Sequence, residues 1–176
     1  MRVTELLEIL GFTDKRFFTE EAALRGTYVH EATALLDKGD LDLEKLDPSL
    51  VGYVRAWETF KAEKKPEILK IEHRIEIPES NISGTLDRLI RMDGKEFLVD
   101  LKTGGPEPWH RWQVALYSLL HQMKYGGAAP HQSVLYLDSE GRYKWLESQK
   151  PWHDRERAKS LIVAAQIAEE VKSRKS

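Results

Sequence analysis

The chain has 176 residues, 41% of them hydrophobic and 32% charged, a length and balance that suit one globular domain spanning 1–176 and argue against two. The absence of cysteine excludes disulfides, thiolate metal sites, iron–sulfur clusters and cysteine nucleophiles. A net charge of -2, from 27 Lys and Arg against 29 Asp and Glu, argues against a protein that coats nucleic acid by bulk charge but leaves a nucleic-acid enzyme open. The charge is uneven: residues 141–176 carry nine Lys/Arg against five Asp/Glu, while residues 1–60 carry seven against twelve. MRVTELLEIL, interrupted by Glu5 and Glu8, predicts no signal peptide, and the longest uncharged apolar-rich stretch, Val114 to Met123, is far short of a membrane span. A soluble intracellular protein with no membrane partner is expected.

Thr4 to Leu10, closed by Gly11, predicts a short helix, and Thr19 precedes a longer one with apolar positions at Ala22, Ala23, Val29, Ala32, Leu35 and Leu36. Asp47-Pro48 pairs an N-cap with proline at the first helical position, and Leu50, Val54, Trp57 and Phe60 recur at helical spacing until Pro66. The pattern then turns to β: Ile68 to Ile77, Ile82 to Met92 and Lys95 to Lys102, the last two joined by the hairpin signal Asp93-Gly94. A helix from about Trp109 to Tyr125 stops at Gly126-Gly127. Strands Ser133 to Leu137 and Arg142 to Leu146 follow, then a basic helix over about 154–172 and a frayed tail at 173–176. The order predicts an α/β (α+β) fold: a central sheet opened by an antiparallel three-strand meander and flanked by helices.

Register brings acids together. If Asp93-Gly94 is a two-residue hairpin loop, opposing residue numbers sum to 187, which sets Asp87 across from Asp100 and Thr85 across from Lys102. Like charges about 5 Å apart destabilise a sheet unless a cation intervenes, and alternation puts Lys102 on the same face as Asp100. A symmetric Pro78-Glu79-Ser80-Asn81 loop would set Glu72 across from Asp87. Glu72, Asp87 and Asp100 would then form an oxygen-rich row suited to Mg²⁺ or Mn²⁺. Glu72, in the lysine-dotted KIEHRIEI stretch, also suits a solvated sheet face. Asp87 and Asp100 do not, because Leu86, Leu89, Leu98, Val99 and Leu101 describe a buried strand pair in which unpaired charge is costly.

These residues resemble the PD-(D/E)XK nucleases, and within them the RecB-like branch that includes phage-type exonucleases. The resemblance runs from about residue 26 to 120: Gly26-Thr27-Tyr28-Val29-His30, Glu72, Gly84-Thr85-Leu86-Asp87, Val99-Asp100-Leu101-Lys102-Thr103-Gly104, and Gln113-Val114-Ala115-Leu116-Tyr117. Each motif alone is common, but their order and spacing together are specific. The resemblance implies a restriction-endonuclease-like core with a mixed sheet. It also implies a site in which His30, Asp87, Asp100 and the carbonyl of Leu101 hold one or two Mg²⁺ or Mn²⁺ ions. Catalysis would fall to Asp87, Asp100, Lys102 and Glu72, with Lys102 holding or deprotonating the attacking water. Gln113, Tyr117, Arg111 and Thr103 would meet the substrate. Without the Gly26 to His30 context, His30 would be read as an ordinary surface or core histidine.

By the same resemblance the expected activity is metal-dependent hydrolysis of phosphodiester bonds at DNA ends, leaving 5′-phosphates, in recombination, repair or phage replication. A structure-specific or single-strand endonuclease is the second reading, and an inactive nucleic-acid-binding module on the same fold the third. The missing cysteines separate the chain from the cluster-bearing relatives, and no helicase motifs accompany it. A free-standing nuclease in the cytoplasm of a bacterial host or phage-infected cell follows. DNA is the expected substrate, with a second copy of the chain in a homo-oligomer or a recombination partner protein as the further partner the resemblance implies.

Overall fold

A computed structural model describes residues 1–13 and 19–174. The helices are α1 (Val3–Ile9), α2 (Glu20–Lys38), α3 (Val51–Lys64), α4 (His110–Tyr125) and α5 (Pro151–Ser173); the strands are β1 (Glu67–Ile77), β2 (Ile82–Met92), β3 (Lys95–Lys102), β4 (His131–Leu137) and β5 (Tyr143–Glu147). Local chemistry sets most boundaries. The Thr19 hydroxyl accepts from Ala22 N–H at 3.1 Å to start α2, and Lys65 turns left-handed at φ 48° to end α3 before Pro66. Asp47 caps a single 3₁₀ turn, Pro48–Leu50, rather than α3 itself, so that helix begins later than its sequence signal. The last helix begins at Pro151, ahead of the expected Asp154, because proline is accommodated at a first helical position. It also runs through Ser173 with Arg174 as its cap, where a frayed tail was expected; residues 175–176 lie outside the described residues.

The five strands form one mixed sheet in the order β1-β2-β3-β4-β5. The first three are antiparallel, β3 and β4 are parallel through the α4 crossover, and β4 and β5 are antiparallel. Asp93 and Gly94 both take positive φ, 49° and 73°, as a two-residue hairpin loop with the right twist requires. Met92 accordingly faces Lys95, and the 187 register holds as far as Arg88 facing Val99. There the ladder stops, so the expected Thr85–Lys102 pair is not made. On the other side, Ile77 faces Ile82, and the same register runs to Lys70 facing Leu89 before a shift at Leu69.

Both faces of the sheet are covered. Val3, Leu6, Leu116, Leu120 and Ile162 pack with Ile75, Ile82, Leu98 and Val134 on the α1, α4 and α5 side. Val29, Trp57 and Phe60 pack with Ile90, Phe97, Val99, Leu135 and Leu137 on the α2 and α3 side. Such double burial accounts for the near-continuous apolar runs of β3 and β4. No helix among the described residues is long and apolar enough to cross a membrane.

Helix α3 approaches the β4–β5 turn closely at Gly52, where an added Cβ would lie 1.8 Å from the Ser139 carbonyl oxygen. Backbone opposes backbone at that point, so neither side can yield by changing rotamer. Gly52→Ala is expected to cost about 3 kcal/mol, the upper end for overpacking, measured as a lower urea midpoint at unchanged m-value.

Candidate active site

The site lies where β2 and β3 part. Beyond Arg88 and Val99 the next residues in register are Asp87 and Asp100, and instead of a strand carbonyl it is the Asp87 Oδ2 that accepts the Leu101 N–H, at 2.6 Å. Glu72 falls opposite Asp87 by register, yet it leaves the β conformation at φ 46° and has no ladder partner of its own. A left-handed glutamate costs about 1–3 kcal/mol, and such residues persist where surrounding contacts hold them.

His30 enters the gap from α2. Its Nε2 lies 3.0 Å from the Leu101 carbonyl, which can only accept, so Nε2 carries a proton. Its Nδ1 lies 3.3 Å from Asp87 Oδ1 and 3.9 Å from Glu72 Oε1. The Asp87 carboxylate raises the His30 pKa to about 9 against the opposing effect of burial. Burial pushes Asp87 up, but the imidazolium and Lys102 outweigh it and hold the carboxyl below its ordinary value. Burial and then the Asp87 charge push Glu72 up. Asp100, 1% exposed, faces Lys102 Nζ at 2.7 Å; burial raises it to about 6, less than it would without that ammonium.

Lys102 is held from the α4 side. Its Nζ donates to Gln113 Oε1 at 2.9 Å and lies 5.3 Å from the centre of the Trp109 ring, while Gln113 Nε2 donates to the Tyr117 hydroxyl at 3.2 Å. The Tyr117 ring occupies the space over Gly84, where a Cβ would sit 2.4 Å from it. Gly84 of the Gly-Thr-Leu-Asp motif thus makes room for the Gln-x-x-x-Tyr helix. A cleft of about 1090 Å³ opens above, bordered by His30, Glu72, Leu101, Lys102, Thr103 and Trp109.

The structure therefore brings together His30, Glu72, Asp87, Asp100, Leu101, Lys102 and Gln113, with Tyr117 beneath and Thr103 at the rim. It places Arg111 elsewhere: the guanidinium pairs with Asp154 of α5 at 2.8 Å and borders a second hollow of about 620 Å³. Three residues of consequence are absent from the motifs. The fully buried Arg88 reaches Glu72 Oε1 at 3.0 Å, and Asp37 of α2 reaches Arg88 Nε at 2.8 Å. His110 borders the cleft with its Nδ1 accepting from Glu107 N–H and the Tyr136 hydroxyl, and burial, then Lys102, lower its pKa to about 3. Arginine inside the apolar run of β2 and an acid in the last turn of α2, the unfavourable end of the helix dipole, were the available signals.

His30, Glu72 and Asp87 each offer a ligand atom, all within 4.8 Å of one another. Two carboxylates and one imidazole, with the Leu101 carbonyl beside them, fit a divalent cation that prefers oxygen and tolerates nitrogen. Without a cation, the buried Asp100 opposes folding. Its folded pKa of about 6 exceeds the ordinary 3.8, so the penalty is absent below the ordinary value, grows as pH rises between the two, and is complete above the folded value. In EDTA, Asp100→Asn is expected to melt higher than the parent at pH 8 and to converge with it toward pH 4, measured by calorimetric thermal scans.

The family described as the PD-(D/E)XK nuclease superfamily matches residues 44–174. Among solved structures, LHK-Exo in complex with dAMP is 12% identical with a TM-score of 0.51, covering 98% of this chain and 88% of the other, and shares its fold. A second structure, an alkaline exonuclease (LHK-Exo) from Laribacter hongkongensis, is 12% identical with a TM-score of 0.46, covering 99% and 92%. No curated protein matches the chain.

Proposed function

Because the chain belongs to the PD-(D/E)XK nuclease superfamily, we propose that it is a metal-dependent DNA exonuclease of the RecB-like, phage-type branch, hydrolysing phosphodiester bonds at DNA ends in recombination, repair or phage replication. The observation that carries this reading is the pairing of buried Asp87 with His30 and of buried Asp100 with Lys102, the two cations lining one open cleft. An exonuclease of like fold has been captured with dAMP, which agrees with removal of nucleotides from an end.

His30, Asp87, Asp100 and the Leu101 carbonyl would hold Mg²⁺ or Mn²⁺, with Glu72 beside them. The cation would supply Lewis-acid polarisation of the scissile phosphate and offset the charge that develops there. Lys102 Nζ, an ammonium oriented by Gln113, would hold the attacking water by donating a hydrogen bond and offset negative charge in the transition state. The water oxygen bonds to phosphorus and gives up its proton to solvent, the bond from phosphorus to the 3′ oxygen breaks, and that oxygen takes a proton from solvent, leaving a 3′ hydroxyl and a 5′-phosphate. Gln113 and Tyr117 act beneath the surface by fixing Lys102, while Thr103, at the rim, is placed to meet the backbone of the substrate. Arg111, committed to Asp154, has no part in this reading.

The test is incubation of the protein with end-labelled linear and with circular DNA in Mg²⁺, Mn²⁺ or EDTA. Metal-dependent loss of linear DNA alone is expected; cutting of both forms identifies an endonuclease, and no cleavage of any DNA or RNA overturns the reading. Lys102→Ala is expected to lower kcat by about 10²–10³-fold, the range for one lost donor that stabilises transition-state charge. Full activity in that variant or in Asp100→Ala would remove the mechanism.

A further inference from the structure

Arg88 is fully buried yet adjoins Asp87 on β2. Its guanidinium makes four hydrogen bonds: Nε to Asp37 Oδ2 at 2.8 Å, Nη2 to Thr33 Oγ1 at 3.1 Å, and Nη1 both to the Asp87 carbonyl at 2.7 Å and to Glu72 Oε1 at 3.0 Å. The Trp57 ring lies 5.5 Å from the guanidinium carbon. Asp37 is anchored in turn, its Oδ1 accepting from Trp57 Nε1 at 2.9 Å and Lys61 Nζ at 2.7 Å. A solely structural ion pair would end at Asp37. This one continues to a carboxylate at the cleft, and that carboxylate stands on the backbone residue that leaves the β conformation.

We propose that Arg88 is a positioning residue: its guanidinium, clamped by Asp37 and Thr33 from α2, holds the Glu72 carboxylate in the cluster formed with His30 and Asp87. The proposal rests on the reading of that cluster as a metal site. The planar fork is what the task requires, since one guanidinium must address acceptors on α2, β1 and β2 from fixed directions, which an ammonium point charge cannot do. Asp37 is shared by two cations, Lys61 and Arg88, so the clamp itself carries one net positive charge, which the Glu72 carboxylate it holds offsets. Groups that orient a ligand in this way govern metal affinity without touching the metal.

The experiment titrates the intact chain with Mn²⁺ by calorimetry, without DNA, for the parent, Arg88→Lys, Thr33→Val, Glu72→Ala and the two doubles with Glu72→Ala, each checked for native near-UV circular dichroism. Lysine keeps the charge, so a loss of affinity reports lost geometry. Arg88→Lys is expected to bind Mn²⁺ at least about tenfold more weakly than the parent, and Thr33→Val at least about threefold more weakly, the scale expected when a group that orients a metal ligand is removed. Both effects should fall below about twofold in the Glu72→Ala background, because the clamp then has nothing to hold. Where Arg88→Lys does not fold, the Thr33→Val cycle decides. A folded Arg88→Lys that binds within about threefold of the parent, or an equal loss with and without Glu72, overturns the proposal while leaving the metal site standing. A parent that binds no Mn²⁺ overturns the metal reading itself.

Discussion

The hydrogen bond from Leu101 N–H to the Asp87 carboxylate governs this end of the sheet. A regular antiparallel pair would give that amide a carbonyl acceptor on β2, and the strands would stay a constant distance apart. A side-chain acceptor satisfies the amide equally well while letting the backbones separate, so the opening costs no unpaired buried donor. Into the opening come an imidazole from the α2 side and an ammonium braced from the α4 side. The three-layer arrangement matters here because only a sheet covered on both faces can be entered from both.

Acids and cations alternate through the region. Asp37 meets Lys61 and Arg88, Arg88 meets Glu72, His30 meets Asp87, and Lys102 meets Asp100. In a medium of low dielectric a buried carboxylate without such a neighbour would simply take a proton. The pairing is uneven, and the unevenness is informative: Asp87 stays below its ordinary value, whereas Asp100 is pushed well above its own. Two acids that the register sets across from each other thus differ in how readily they give up a proton, because one faces an imidazolium and a backbone amide and the other shares its ammonium with a glutamine.

Much of this could be read from residue order. Asp93-Gly94 fixes a turn, the turn fixes a register, and the register carries two aspartates to adjacent positions, each step following from backbone geometry alone. The Pro78 to Asn81 connection kept the expected register although it folds as a 3₁₀ turn with Asn81 left-handed. What stayed hidden depends on contacts distant in sequence. That Glu72 leaves the ladder, that Asp37 sits under Arg88 and that Arg111 turns toward Asp154 are decided by packing between layers, which carries no local periodicity. Helix spacing correctly put Gln113 and Tyr117 on one face of α4, yet spacing could not say that the tyrosine ring would rest on Gly84.

Helix α2 presents His30, Thr33 and Asp37 at intervals of three and four residues, a single stripe on its surface. The first reaches the cleft, and the other two neutralise or saturate a guanidinium in the core. A shortened descendant that shed this helix would lose an imidazole from its site and would also strand a cation inside its sheet, which proteins tolerate poorly. Without the helix, the Arg88 guanidinium would keep only Glu72 and the Asp87 carbonyl of its four hydrogen-bond partners.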